Sequence, residues 1–192
     1  MKRRLFVLTA IIGVALVAVA VALAAGRTHV VGTNGPDVLT GTPGNDVILA
    51  RAGNDSVNAL EGNDRIYAAG GDDVVDAGAG NDMARGGAGA DTLKGGDGND
   101  LVRGRHGNDT IDGGPGNDRI FAGSGTDSVQ AGDGDDDVHI LAADNQVDTV
   151  DCGAGNDVIW VNASQTNDVY TNCETVKTVT ITTAAANADD NG

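Results

Sequence analysis

The sequence predicts an all-β solenoid, a parallel β-roll or β-helix whose short strands stack along one axis. A nine-residue unit is repeated twelve times without a gap from Gly32 to His139. In every unit, position 4 is Gly, position 6 is Asp, and position 8 is a small or branched apolar residue. Such a unit can bury its apolar residue only against its neighbours, which is how solenoid repeats are stabilised.

Each unit divides into a turn and a strand. Positions 1 to 5 are mostly Gly, Ala, Asn and Asp, which tolerate the positive φ that tight turns need, and positions 7 to 9 hold strand residues. Side chains alternate along a strand, so position 8 points inward and positions 7 and 9 point outward. Two units would form one coil, which predicts about six coils with strands about 4.8 Å apart.

The invariant aspartates are the candidate functional residues. Stacking would bring the position 6 residues of alternate units to the same edge of the solenoid. One edge would carry Asp37, Asp55, Asp73, Asp91, Asp109 and Asp127. The opposite edge would carry Asp46, Asp64, Asp82, Asp100, Asp118 and Asp136. Stacked carboxylates repel by about 1 kcal/mol per pair in water, so we expect a cation between them.

The donor atoms favour Ca²⁺. Carboxylates and the carbonyls of a Gly-rich backbone are oxygen ligands, which suit a hard cation with a flexible shell better than Mg²⁺ or a thiol-seeking metal. Six turns on each edge leave five gaps, so up to about ten ions are predicted. Two alternatives remain: plain tight turns of a metal-free solenoid, or disorder of a Gly-rich, like-charged chain.

The units resemble the RTX (haemolysin-type) calcium-binding nonapeptide Gly-Gly-x-Gly-x-Asp-x-apolar-x. The copies Gly86 to Lys94, Gly95 to Arg103 and Gly113 to Phe121 match at every fixed position. The resemblance implies a β-roll in which the sixth-position Asp and nearby carbonyls hold each ion. The side-chain ligands would be the twelve aspartates above and Asp157. The backbone ligands would be the carbonyls of Gly87, Gly89, Gly96, Gly98, Gly107, Gly114 and Gly116.

Composition and charge limit the classes of function. Aromatic residues are 3% of the chain and there are 30 Gly, so the core must be thin. The formal net charge is −16, and removal of Lys2, Arg3 and Arg4 would make it −16 − 3 = −19. Such a chain repels nucleic acid and anionic lipid headgroups and attracts cations.

The N-terminus predicts export. Lys2, Arg3 and Arg4 precede an uncharged run from Leu5 to Ala25, with a small-x-small cleavage site at Ala22 to Ala24. We assign residues 1–24 to a signal peptide and 25–31 to a lead-in before the roll at 32–139. Cleavage would leave no membrane-inserted segment, whereas an uncleaved leader would anchor the protein in the membrane.

Residues 140–183 predict a cap made of partial repeats, followed by a disordered tail at 184–192. Asp148 and Asp157 continue the period after a three-residue insertion, and Trp160 is expected to cover the end of the core. Cys152 and Cys173 predict a disulfide in an exported chain, and free or metal-binding thiols are the alternative. This segment resembles the closing segment of small secreted bacterial RTX-type proteins.

These observations predict a secreted, non-enzymatic protein that folds on binding several Ca²⁺ ions. The alternative is an adhesin or surface-layer component whose calcium-rigidified rod binds a cell-surface or extracellular-matrix partner that the sequence does not identify. An enzyme is not expected, because His29, His106 and His139 have no spacing suited to a catalytic base or a metal.

Overall fold

The computed structural model describes residues 27–180 and, for the backbone alone, residues 17–19. In these residues the fold is all-β, with two parallel sheets of nine strands each. Sheet A contains β1 (Val17–Val19), β3 (Val38–Thr40), β5 (Ser56–Asn58), β7 (Val74–Asp76), β9 (Thr92–Lys94), β11 (Thr110–Pro115), β13 (Ser128–Asp133), β15 (Thr149–Ala154) and β17 (Val169–Thr171). Sheet B contains β2 (Thr28–Val31), β4 (Asp46–Ala52), β6 (Arg65–Gly70), β8 (Met83–Ala88), β10 (Leu101–His106), β12 (Arg119–Ser124), β14 (Asp137–Ile140), β16 (Val158–Asn162) and β18 (Thr175–Val179).

The chain alternates between the two sheets and completes one coil every 18 residues. Val102 pairs with Ala84 on one side and with Ile120 on the other, one full coil away in each direction. The twelve repeats supply one strand each, β3 to β14, which confirms the predicted β-roll. These repeats form six coils, but the whole solenoid is longer than predicted, because each sheet contains nine strands. Strands β2 and β15 to β18 extend the solenoid at both ends.

The core lies between the sheets and is filled by side chains from both of them. Position 8 fills it, as predicted, and residues such as Ile66, Val102 and Ile120 are fully buried. Position 1 also points inward, where Ala68 and Ala122 are fully buried. Positions 6, 8 and 1 therefore face the interior in alternation, so the aspartates are part of the core rather than of an outer edge.

Most turns have a left-handed backbone at positions 2 and 4; the first two repeats do not. Gly98 at position 4 has a φ of 126°, and a side chain there would overlap the carbonyl of Gly80 in the preceding coil. Residues other than Gly also occupy position 2, and their backbone is strained: Arg51, Leu60 and Arg105 have φ values of 85°, 80° and 88°.

The period changes at the C-terminal end. Ser128 pairs with Thr149, 21 residues further on, because three additional residues precede β15. The predicted disulfide is confirmed: Cys152 in β15 is bonded to Cys173 after β17, with a Cα–Cα distance of 5.2 Å. The expectation for Trp160 was wrong, since its ring lies on the outer face of β16 and its Nε1–H donates to Asp137 Oδ1 at 2.7 Å.

The two ends of the chain are described only in part. Val17–Val19 falls within the predicted leader and pairs in parallel with β3. The rest of the predicted signal peptide and the predicted tail at 184–192 lie outside the described residues. Among the residues that are described, none belongs to a helix long and apolar enough to cross a membrane.

Candidate metal centre

The aspartates at position 6 form two buried ladders, one on each side of the apolar core. Their exposed fractions are 5% or less, although each carries a carboxyl group. Residues one coil apart lie in the same ladder, so Asp82, Asp100 and Asp118 are neighbours. The structure thus brings the twelve predicted aspartates together in the two sets of six that the sequence predicts.

From Asp55 onwards, one oxygen of each ladder carboxylate accepts a hydrogen bond from the backbone of the preceding coil. The N–H of Asp82 donates to Asp100 Oδ1 at 2.8 Å, and the N–H of Asp100 donates to Asp118 Oδ1 at 2.8 Å. The same bond recurs on the other ladder, for example from Asp91 to Asp109 at 2.9 Å. These bonds orient the carboxylates from Asp55 to Asp136 without help from any other side chain.

The second oxygen is buried and has no hydrogen-bond partner in the described part of the chain. This holds for the Oδ2 atoms of Asp55, Asp64, Asp73, Asp82, Asp91, Asp100, Asp109, Asp118, Asp127, Asp136, Asp157 and Asp168. A buried anionic oxygen without a donor is costly, and it is tolerated where a cation or a proton completes it.

Burial also changes the acidity of the ladders. Desolvation raises the pKa of Asp82, Asp109 and Asp127 to about 7, although the backbone hydrogen bond to each opposes the rise. The neighbouring carboxylates in the same ladder raise it further. Desolvation is also the main cause of the rise in the pKa of Asp100 to about 6. Without a cation, the ladder carboxylates therefore bind protons at a pH of 6 to 7, well above the usual range for Asp.

Backbone carbonyls at position 4 are further candidate donors. The N–H of Asn99 at position 5 donates to Asn81 Oδ1 at 2.8 Å, so it does not bond to the carbonyl of Gly80. A second, exposed ladder of Asn and Asp side chains repeats this bond along the turns. It leaves the carbonyls of Gly89, Gly98, Gly107 and Gly116 without a backbone donor among the described residues.

The carbonyls at position 2 are not all free to bind a metal ion. The predicted residues Gly87, Gly96 and Gly114 lie at this position, where the backbone still takes part in strand pairing. The equivalent carbonyl of Gly78 accepts the N–H of Asp97 at 2.9 Å. Position 4 is therefore the better supported source of carbonyl ligands.

The first coil has a different arrangement. Asp37 Oδ2 accepts the N–H of Thr33 at 2.5 Å and its hydroxyl at 3.0 Å. Asp46 Oδ2 likewise accepts the N–H and hydroxyl of Thr42, at 2.6 and 3.0 Å. These two carboxylates are satisfied by protein donors, so their place in the predicted metal set rests on the repeat pattern alone.

The ladders continue further into the cap than the predicted site residues do. Asp127 N–H donates to Asp148 Oδ1 at 2.9 Å, and Asp148 N–H donates to Asp168 Oδ1 at 3.1 Å. On the other ladder, Asp157 N–H donates to Glu174 Oε2 at 2.9 Å. The last two spacings are 20 and 17 residues instead of 18, which is why a fixed period does not detect Asp168 and Glu174.

The donor set fits a hard cation. Within the described residues, no three His, Cys, Asp or Glu side chains converge on one point, so a site would combine carboxylates with carbonyls. An all-oxygen set of carboxylates and backbone carbonyls is the set that Ca²⁺ prefers. Asp oxygens and Gly carbonyls would hold the ion, which would supply the positive charge that the ladders lack.

A two-sheeted solenoid with a carboxylate ladder along each side defines a class of repeat protein that can hold cations at regular intervals, between successive coils. Comparison with known families agrees. The profile of the RTX calcium-binding nonapeptide repeat matches residues 31–63, 50–84, 85–120, 112–139 and 140–164, which together span well over half of the chain. The chain belongs to the RTX calcium-binding nonapeptide repeat family, whose repeats bind Ca²⁺. No protein with a curated description matches it significantly.

Proposed function

We propose that the protein is an exported, non-enzymatic calcium-binding β-roll whose folding is coupled to the binding of several Ca²⁺ ions. The observation that carries this proposal is the row of buried, unpartnered Oδ2 atoms in both ladders. A chain that buries so many carboxylates needs a counterion to be stable at neutral pH. Calcium at extracellular concentrations would meet that need, with affinities of order 10⁻⁴ to 10⁻³ M per ion.

Coupling to folding follows from where the ligands come from. Most ladder hydrogen bonds join residues 18 apart in sequence, so the donor atoms converge only when the coils have stacked. An ion that binds the folded state and not the unfolded chain stabilises the former in proportion to the logarithm of its concentration. Because each ion would join adjacent coils, binding and folding should be cooperative. Up to about ten ions remains the proposed number.

The experiment is to count bound calcium by equilibrium dialysis for Asp100→Asn and its matched control Asp97→Asn. Asp100 is buried in a ladder, whereas Asp97 lies in the same turn but is exposed. The amide oxygen of Asn can still accept the N–H of Asp82, so the first variant removes the charge and keeps the hydrogen bond. We expect Asp100→Asn to bind at least one ion fewer and to need more calcium for half-saturation.

Asp97→Asn should bind as many ions as the unmodified chain, with the same half-saturation. Equal binding by both variants would mean that the ladder carboxylates are not the ligands. The proposed stacked-site arrangement would then be wrong.

One Ser–His pair resembles part of a catalytic site and has to be explained if the protein is not an enzyme. His106 Nδ1 lies 3.0 Å from Ser124 Oγ, but the two residues are register partners on neighbouring strands of sheet B and His106 is exposed. A catalytic pair needs a sheltered site with groups that orient the base and stabilise the charge that develops. This pair is better explained as a cross-strand contact.

Export is proposed from the basic residues and apolar run at the N-terminus, and a retained membrane anchor is the alternative. Cleavage before Ala25 would remove β1, so β3 would become the edge strand of sheet A. Mass spectrometry of the protein recovered from the culture medium would identify its first residue and decide between the two.

A further inference from the structure

The outward side chains of sheet B form a basic surface on an acidic protein. Seven of the nine Lys and Arg residues between positions 27 and 180 lie in strands of this sheet. They are Arg51, Arg65, Arg85, Arg103, Arg105, Arg119 and Lys177. Asp137 is the one outward acid in these strands, and it is paired with Arg119 at 3.2 Å. We call this surface the basic face.

Sheet A has the opposite charge on its outer side. Lys94 is the one basic residue in its described strands, and the outward positions include Asp76, Asp112, Asp133 and Asp151. The net charge of −16 therefore conceals a segregation of charge between the two sheets. At physiological ionic strength the screening length is about 8 Å, less than the roughly 10 Å between packed sheets, so a ligand on sheet B is largely screened from the acids on sheet A.

A continuous column of cations and rings runs along the basic face at position 9. Neighbouring members pair in register from each coil to the next. In order they are Tyr67, Arg85, Arg103, Phe121, His139, Trp160 and Lys177. Six spacings of about 4.8 Å give the column a length of roughly 29 Å.

The rings hold the cations in place. The Arg85 guanidinium lies 5.4 Å from the Tyr67 ring centroid, and Arg103 lies 4.9 Å from that of Phe121. Further along, the Phe121 and His139 rings are stacked with centroids 4.4 Å apart. A guanidinium held against a ring loses less freedom when it binds an anion, so the column is preorganised.

A shallow cavity lies beside this column. Its volume is about 320 Å³, and its lining includes Tyr67, Arg85, Arg105 and His106. The cavity exists because position 2 is Ala69 in one coil and Gly87 in the next, while Arg105 follows in the coil after that. Two arginines therefore border a gap that two small residues leave open.

We propose that the basic face is a docking surface for a linear acidic polysaccharide, with a carboxylate or sulfate group seated in the cavity between Arg85 and Arg105. A row of basic side chains along one sheet suits a linear polymer of anions, and guanidinium groups bind such oxyanions through paired hydrogen bonds. Single-stranded nucleic acid is a poorer match, because it binds by stacking bases on exposed ring faces. Here the stacked rings of Phe121, His139 and Trp160 turn their faces towards one another along the solenoid axis.

This inference rests on the proposed function, because the face exists only when the coils have stacked. Calcium also contributes directly, since each bound ion would cancel two carboxylate charges inside the roll. The polysaccharide should therefore bind in calcium and not in chelator.

The test measures binding of the purified full chain to dextran sulfate in excess calcium, with unmodified dextran and duplex DNA as comparison ligands. The variant is Arg85→Gln with Arg105→Gly. Arg105 has a φ of 88°, so glycine relieves backbone strain while it removes the charge, and the fold should be kept. The matched control is Lys94→Gln, which removes a positive charge from the outer side of sheet A.

We expect the unmodified chain to bind dextran sulfate but not dextran, and the double variant to bind at least about tenfold more weakly with a smaller dependence on salt. Lys94→Gln should bind like the unmodified chain. Circular dichroism of the same samples separates this inference from the proposed function. A β spectrum in calcium with no binding of dextran sulfate, or with equal loss in Lys94→Gln, would overturn the docking surface alone.

Preferential binding to DNA would also overturn it, because the face would then be a nucleic-acid surface. The absence of any β spectrum in calcium would overturn both proposals.

Discussion

Each ladder aspartate from Asp55 to Asp136 makes two opposite contributions to the stability of the metal-free roll. Its Oδ1 accepts a backbone hydrogen bond from the previous coil, which stabilises the stacking, while its bare Oδ2 and its charge are buried beside other carboxylates. A hydrogen bond contributes about 1 kcal/mol, whereas an unpaired buried charge costs considerably more. The balance therefore depends on whether the carboxylate carries a proton, a cation or neither.

Acid should favour the metal-free fold. Burial raises the pKa of Asp91 and Asp118 from 3.8 to about 7 and that of Asp64 to about 6. The folded state therefore binds protons more tightly than the unfolded chain does. Its stability is greatest below 3.8 and is lost as the pH rises through 6 to 7.

We predict that circular dichroism in chelator will show β structure increasing as the pH is lowered from about 8 to about 4. The midpoint of the change distinguishes the ladders from surface carboxylates, which titrate close to 4. A metal-free spectrum that does not change over this range would contradict the account of the ladders.

At the residue scale, the sequence was sufficient to predict which side chains form the ladders but not their full extent. A strict nine-residue period identifies Asp37 to Asp136, because each differs from its ladder neighbour by one whole coil. Asp168 and Glu174 depend on how the irregular turns of the cap close, and no local pattern specifies that. The threonine donors to Asp37 and Asp46 also went unpredicted, since a hydroxyl at position 2 looks like an ordinary turn substitution.

At the scale of the element, several turns contain residues that do not suit the backbone conformation they adopt. Position 2 adopts a left-handed conformation in most coils, yet Arg51, Leu60, Ala69 and Arg105 occupy it. Non-glycine residues in this conformation cost about 1 kcal/mol or more. These coils are therefore less stable than those with glycine at the same place.

We predict that Leu60→Gly will raise the free energy of unfolding by about 1 kcal/mol. Leu60 has a φ of 80° and is 36% exposed, so the gain from relieved strain should exceed the loss of side-chain contacts. Val74→Gly is the control, because this exposed residue lies inside β7 and glycine should weaken the strand. Urea denaturation in saturating calcium measures the stability of both variants. If Leu60→Gly is no more stable than the unmodified chain, the backbone at Leu60 is not strained as we propose.

The disulfide stabilises the element that closes the roll. It joins β15 in the core to the segment before β18, across residues whose spacing departs from the repeat. Removing a cross-link over a loop of about 22 residues should cost about 3 kcal/mol. We predict this loss for Cys152→Ala with Cys173→Ala, measured by urea denaturation. Cys173→Ala alone keeps the buried Cys152 side chain, so a loss confined to the double variant would show that packing, and not the cross-link, is responsible.

At the scale of the whole molecule, the fold could be predicted because one short unit repeats and each unit contacts only its neighbours. The two sheets, the 18-residue coil and the inward position 8 all follow from that period. The basic face was not predicted, although Tyr67, Arg85, Arg103 and Phe121 are 18 residues apart, because the net charge of −16 gives no sign of a basic excess on one sheet. Trp160 was expected to cover the end of the core, whereas its position 9 in the repeat places its ring on the outer face.

The central claim is that Ca²⁺ completes the buried carboxylate ladders and that the roll folds as a result. Far-UV circular dichroism of the chain, titrated with CaCl₂ and separately with MgCl₂, tests it most directly. The account predicts a cooperative transition from a disordered to a β spectrum in CaCl₂ and no such transition at the same concentrations of MgCl₂. A full β spectrum at neutral pH in excess chelator, unchanged by calcium, would contradict it and would mean that the aspartates serve only to build the turns.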